Sequence, residues 1–261
     1  MKKESGEQHT LDAIKEEKDL GITIDANLTF KTHIMNSVNK ANQMLGIIKR
    51  TFTCINKDVF IPLYKGMIRP HVEYGSCIWS PSMQYLKIAV ENVQRRATRL
   101  LPEMKNKTYE ERLISLNLPS LCYRRRRSDI IQTFKILHDR DHIKQGFSCG
   151  VNQMFEPSKA HTTRGHNQKK QIQHAVGVRS KYFTTRVTSA WNNLPSKAVT
   201  APTVNHLKNI LAKASTEKAL MYSLLTHAQS TVSCAISIFI TRLNGYKLMD
   251  IGELSVSYIW R

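Results

Sequence analysis

The chain has 261 residues, enough for one or two domains with a buried core, and 41% of them are hydrophobic. Lys and Arg number 39 against 20 Asp and Glu, a formal net charge of +19; a compact state this basic repels itself unless a polyanion offsets it, so nucleic acid or an anionic membrane is the expected partner. Five cysteines with no CxxC pair argue against a disulfide framework and a zinc ribbon, and the polar start MKKESGEQHT carries no secretory signal, so a reducing nuclear or cytoplasmic compartment is expected.

Residues 1–16 are polar and predict no regular element. Ile22, Ile24, Leu28 and Phe30 alternate around a turn at Asp25, Ala26 and Asn27, which predicts one short strand or hairpin edge. Ile34, Val38, Ala41, Leu45 and Ile48 then recur at three- and four-residue spacing, a helix ending on Lys49 and Arg50 where cations suit the dipole. Asn56 is placed to cap a helix with the stripe Phe60, Leu63, Tyr64, Met67 and Ile68, which Pro62 should kink and Pro70 should end or bend.

A longer helix is predicted from Met83 to Leu101, with Leu86, Val90, Val93, Ala97 and Leu100 inward and Arg95, Arg96 and Arg99 mostly on the other face. Thr108 and Glu111 form a capping box before a short helix that turns Leu113 and Leu116 inward. Pro119 suits the first turn of the next helix, whose apolar stripe is Tyr123, Ile130, Ile131, Phe134 and Leu137. Arg124, Arg125, Arg126 and Arg127 span more than one turn there. Two or three must project outward while the others lie along the surface on their stems.

From Pro157 to Lys213 there is no Asp or Glu, yet ten Lys or Arg. A polar loop, HTTRGHNQKKQIQH, leads to a helix marked by Phe183, Val187, Ala190, Trp191 and Leu194 and stopped by Pro195. Val204, Leu207 and Leu211 mark another. Ala219–Ile240 is uncharged and long enough to cross a bilayer, but its Ser, Thr, Gln and His content argues for a buried segment or tail instead, and membrane association is not expected.

No catalytic constellation stands out. Nucleotide transfer needs neighbouring carboxylates to hold a metal pair, and the sequence has no Asp-Asp pair. Asp19 and Asp25 read as turn residues. Phosphate-loop, dinucleotide, nucleophile-elbow and HExxH signatures are also missing. His161, His166, His138 and His142 lack the thiolate-rich spacing of structural zinc, so no metal and no cofactor is expected and these rings are read as solvent-facing or phosphate-adjacent. What remains is cationic. Arg95, Arg96, Arg99 and Arg124 to Arg127 are candidates for one phosphate-contacting face on two neighbouring helices. Arg164, Lys169, Lys170, Arg179, Lys181 and Arg186 form a second group beside Tyr182 and Phe183; these two aromatics and Trp191 are read as core rather than base-stacking platforms.

Ten separated segments carry a family likeness: EKDLGI, FKTHI, KANQMLGIIKRTF, LYKGMIRPHVEY, WSP, VENVQRRATR, YEERLISLNLPSL, RRRRSDIIQTFKILHD, RGH and RVTSAWNNLP. In this order they resemble the C-terminal part of jockey-like non-LTR retrotransposon (LINE-type) reverse transcriptases, from about Glu17 to about Lys213. The resemblance implies a helical thumb followed by a basic region that handles nucleic acid, with thumb-helix roles for Gly46, Arg50, Arg69, Pro70, Glu73, Tyr74, Arg95 and Arg96. Of these only the arginines are expected to touch RNA or DNA. Departures are Cys122 where the family has an acid, Leu207 where it has Phe, and Pro62 inside a helix; the endonuclease and polymerase motifs are missing, and residues 215–261 match nothing in the family.

The expected fold is therefore mainly α. A short β edge (a palm remnant) occupies residues 1–30, and a helical thumb-like bundle 31–140. A basic linker follows at 141–180, then a small helical C-terminal unit at 181–214 and an unassigned tail at 215–261. The expected function is that of a non-catalytic RNA- or DNA-binding fragment of a reverse transcriptase, not an enzyme on its own, with a palm domain as a second candidate partner. The alternatives are the thumb and C-terminal part of an active reverse transcriptase when joined to a palm, or a tail-anchored interaction protein.

Overall fold

The computed structural model describes residues 14–138, 154–158 and 165–214. Arg164, His142, His161, the segment Ala219–Ile240 and the tail from Ser215 lie outside them. The architecture is mainly α-helical with one short antiparallel hairpin, and the chain divides into unit 1 (Met1–Leu116) and unit 2 (Asn117–Arg261).

Unit 1 opens with strands β1 (Glu16–Asp19) and β2 (Ile22–Asp25), paired with Glu16 opposite Asp25 and Asp19 opposite Ile22. Leu20 and Gly21 both take positive φ, 44° and 84°, the left-handed pair that joins a two-residue hairpin without splaying its strands. The expected alternation through Leu28 and Phe30 is corrected here. Both have positive φ and leave the strand, because Asp25 gathers the chain into a turn. Its carboxylate accepts hydrogen bonds from the amides of Asn27, Thr29 and Phe30, at 3.1, 3.0 and 2.6 Å, and from the Thr29 hydroxyl at 3.0 Å. Burial raises the carboxyl pKa, but these donors together outweigh it and hold the group below its ordinary value.

Helix α1 (Lys31–Thr51) buries Ile34, Val38, Ala41, Leu45 and Ile48, the predicted stripe, and packs on β2 and on later helices of the unit. The Asn56 side chain accepts from the Val59 amide at 2.9 Å and starts α2 (Lys57–Leu63). Pro62 does not break this helix. One wide turn follows at Tyr64–Ile68, where the Arg69 amide bonds five residues back to the Tyr64 carbonyl, and α3 (Arg69–Glu73) continues with Pro70 in its first turn. Along this composite rod Phe60, Tyr64, Ile68 and Val72 are all buried.

Gly75 begins the short α4 (Ser76–Trp79) at φ 62°, a left-handed conformation that favours glycine, and a β-carbon there would make the tip of Ile22 shift. Helix α5 (Gln84–Thr98) packs on α1 with Leu86, Val90, Val93 and Ala97 buried, as the spacing predicts. The capping box forms in both directions. The Thr108 amide donates to Glu111 at 2.7 Å and the Glu111 amide to the Thr108 hydroxyl at 3.4 Å, opening α6 (Tyr109–Leu116).

Unit 2 begins with α7 (Leu121–Leu137). Its cap is Ser120, whose hydroxyl accepts from the Tyr123 amide at 3.2 Å, so Pro119 lies ahead of the helix rather than in its first turn. The deepest positions of α7 are Leu121, Arg125, Asp129, Thr133, Phe134 and Ile136, whereas Tyr123, Ile130, Ile131 and Leu137 are half-buried. Helices α8 (Phe183–Asn192), α9 (Ser196–Val199) and α10 (Val204–Ala214) follow among the described residues. Phe134 joins Trp191, Leu194, Ala198, Val199, Ala201, Leu207 and Leu211 in one cluster, with Ile130 and Ile131 packed against it. This shared core assigns α7 to the C-terminal unit, although the sequence reading grouped it with the helices before it.

Candidate nucleic-acid interface

In unit 1 the candidate cations fall into distinct environments. Arg96 and Arg99 are exposed on α5. Arg95 is half-buried, with its guanidinium carbon 5.0 Å from the centre of the Tyr109 ring. Arg112, only 2% exposed, places its own guanidinium carbon 5.6 Å from the same ring and donates to the Arg95 carbonyl at 3.3 Å. Burial and then the nearby Arg99 charge weaken its hold on the proton. The Tyr109 hydroxyl donates to buried Glu91 at 2.7 Å; burial first, and then Glu91, drive the phenol pKa well above its ordinary range.

Sequence reasoning missed this Glu91–Tyr109–Arg112 group. The available signal was the spacing of Tyr109, Arg112, Leu113 and Leu116, which puts all four on one helical face. Arg69 is engaged closer to home, 3.4 Å from Glu73 one turn on.

In unit 2, Arg126 is exposed and Arg124 and Arg127 are half-buried. The Arg127 guanidinium donates to the Lys208 carbonyl at 3.2 Å. Arg125 is corrected: it is 4% exposed and faces inward, on the same side of α7 as Leu121 and Asp129. Arg186 is likewise drawn out of the expected set of phosphate contacts. Its Nε and Nη2 donate to the two Asp129 oxygens at 3.1 and 3.0 Å, a bidentate pair that neutralises it, and its guanidinium lies 5.5 Å from the Phe183 ring.

Arg179 and Lys181 are exposed, and Lys169 and Lys170 are half-buried, with burial lowering the Lys170 pKa. Trp191 is wholly buried and Phe183 half-buried, while Tyr182, expected in the core, is 45% exposed. Among the candidate cations, Arg50, Arg96 and Arg99 in unit 1 and Arg126, Arg179 and Lys181 in unit 2 are exposed, with Arg69, Arg95, Arg124, Arg127, Lys169 and Lys170 partly accessible.

His166 departs from the expected solvent-facing role. It is buried, its Nε2–H donates to the Trp191 carbonyl at 3.0 Å, and its Nδ1 accepts from the Gln168 amide at 3.2 Å, a pattern that selects the neutral ring. The Trp191 indole donates to the Gln168 carbonyl at 3.1 Å, and Asn192 exchanges two bonds with the Lys170 backbone, at 2.8 and 2.7 Å. Together these bonds clasp residues 166–170 to α8. In unit 1, buried His33 similarly accepts from the Thr23 amide at 3.3 Å.

Burial lowers the pKa of both histidines, so the unfolded chain takes up protons at higher pH than the folded one. Their contribution to stability is complete above histidine's ordinary value of about 6.5 and is lost as the pH falls below it. Melting temperature should therefore drop between pH 7.5 and pH 5, and the drop should shrink in a His33→Gln, His166→Gln double variant; an unchanged melting temperature across that range would count against buried neutral rings.

Among the described residues, no group of three or more His, Cys, Asp or Glu side chains could hold a metal ion, and no helix is long and apolar enough to cross a membrane. Among the described residues, Cys54 is exposed and Cys77 and Cys122 are half-buried. The chain is 26% identical over 125 residues to an uncharacterised protein of Caenorhabditis elegans, an alignment covering 46% of this chain and 61% of that relative. No protein-family model and no solved structure matches the chain.

Proposed function

We propose that this chain is a non-catalytic RNA- or DNA-binding fragment related to the thumb and post-polymerase region of jockey-like non-LTR retrotransposon reverse transcriptases. It would act in a reducing nuclear or cytoplasmic compartment and grip nucleic acid mainly through phosphates. The supporting observation is the local imbalance of charge: ten Lys or Arg and no Asp or Glu between Pro157 and Lys213. Arg179 and Lys181 stand exposed within that stretch, and Arg126 on α7 adds to them. Guanidinium and ammonium groups without local counter-ions release the ions condensed on a polyanion when they bind it, which favours association and makes it depend on salt.

The test is the affinity of the full chain for single-stranded RNA across a salt series. Each phosphate contact contributes a log–log slope of about −0.7, so four contacts predict roughly −3. Arg179→Gln and Lys181→Gln should each make the slope shallower by about one contact's worth. A flat salt response would sink the reading.

A further inference from the structure

Between α7 and α10, within unit 2, lies a half-open cavity of about 320 Å³. Tyr123, Arg124, Arg127, Ser128 and Ile131 line it from α7, and Ala212 from α10. We infer that this cavity takes one unstacked nucleotide of a single-stranded nucleic acid, its base against Tyr123 and its phosphate at the Arg124–Arg127 edge. The inference rests on the nucleic-acid reading above and narrows it to single strands.

Three observations carry it. The lining residues combine the aromatic Tyr123 and the aliphatic Ile131 with Arg124, Arg127 and Ser128, residue types that suit the parts of a nucleotide: a flat apolar base, polar base edges and an anionic phosphate. The size is that of a site for one small group, too small for a run of stacked bases. The Arg127 fork is oriented before any ligand arrives, since one of its donors is held by the Lys208 carbonyl at 3.2 Å. A duplex keeps its bases stacked and paired, so a pocket that takes a lone base favours strands whose bases are already free. An acidic peptide would use the arginines but leave the Tyr123 wall without a planar partner.

The experiment measures binding of the full chain to a labelled single strand and to an abasic strand of equal length, whose phosphates are intact. Wild type should prefer the normal strand by about 5- to 150-fold, the range expected for one base stacked on an aromatic ring. Tyr123→Ala should bring that ratio close to one while leaving abasic affinity unchanged, and Tyr123→Phe should keep the preference. Ala212→Leu fills the cavity from an exposed position where added bulk does not disturb the core, and it should act like Tyr123→Ala.

A wild-type ratio near one overturns the inference, as does a preference that survives in both Tyr123→Ala and Ala212→Leu. So does oligoglutamate that competes as well as a strand of equal charge. In the first two cases, salt-dependent binding to the abasic strand leaves the broader reading standing, whereas failure to bind either strand removes that reading itself.

Discussion

Replacing Asp129 with Ala is expected to destabilise the chain by about 2–4 kcal/mol, below the top of the range for a fully buried pair because Arg186 keeps 19% of its side-chain surface exposed. Asp129 is 7% exposed and its two oxygens bind the Arg186 fork at 3.0 and 3.1 Å. Without the carboxylate, the Arg186 charge stays against the Phe183 ring and loses the bidentate anion that offset its desolvation. Arg125, buried one turn earlier on the same face, already has a guanidinium nitrogen with no hydrogen-bond partner among the described residues, so the change would remove an anion from a face that carries a second cation. Circular dichroism should report a melting temperature lower by roughly 10 °C. Because the penalty belongs to the orphaned charge, Asp129→Leu combined with Arg186→Met should recover most of it. A single Asp129→Ala variant that melts within a degree of wild type would show that the pair carries no such weight.

Trp79→Ala is expected to cost about 3–5 kcal/mol in unit 1 through the cavity it leaves. Trp79 is 1% exposed, its indole nitrogen donates to the Tyr74 carbonyl, and its ring centre lies 5.5 Å from that of His33. Truncation therefore removes a large apolar contact, strands a carbonyl and opens the cover over an imidazole whose pKa is lowered mainly by burial. Urea titration should show the stability loss. Proton NMR should show His33 titrating nearer its ordinary value, a change that loss of packing elsewhere would not produce. A variant that loses stability while His33 titrates as in wild type would break the link between the two rings.

Much of unit 1 was legible because its instructions are local. The stripe of α1, the Asn56 cap and the Thr108–Glu111 box each depend on residues within a turn or two, and spacing alone specifies them. The inward face of α7 was not legible. Arg125, Asp129 and Thr133 recur every four residues, but as polar residues they read as a solvated stripe, and the Asp129 partner lies 57 residues away. The same limit applies to His166, a buried ring in an otherwise accessible polar loop, where Trp191 and Asn192 supply bonds from another element. For the candidate interface, sequence located the cations but could not separate Arg126, which faces water, from Arg125, its neighbour, which does not.

The wide turn at Tyr64–Ile68 has a consequence for how this chain tolerates change in length. Phe60, Tyr64, Ile68 and Val72 are spaced by four throughout, and in an ordinary helix that spacing would precess by about 40° at each step. The five-residue ring absorbs the precession locally, so the rod holds one surplus residue without rotating its inner line away from its neighbours. Deleting Gly66, whose surroundings are open, would leave intervals of four, three and four, the ordinary rhythm of an amphipathic helix, and would return the ring to standard winding. A deletion in the middle of α1 would instead swing every later side chain by about 100°. Single-residue length variation in this domain should therefore concentrate at that one loop of the helical thread.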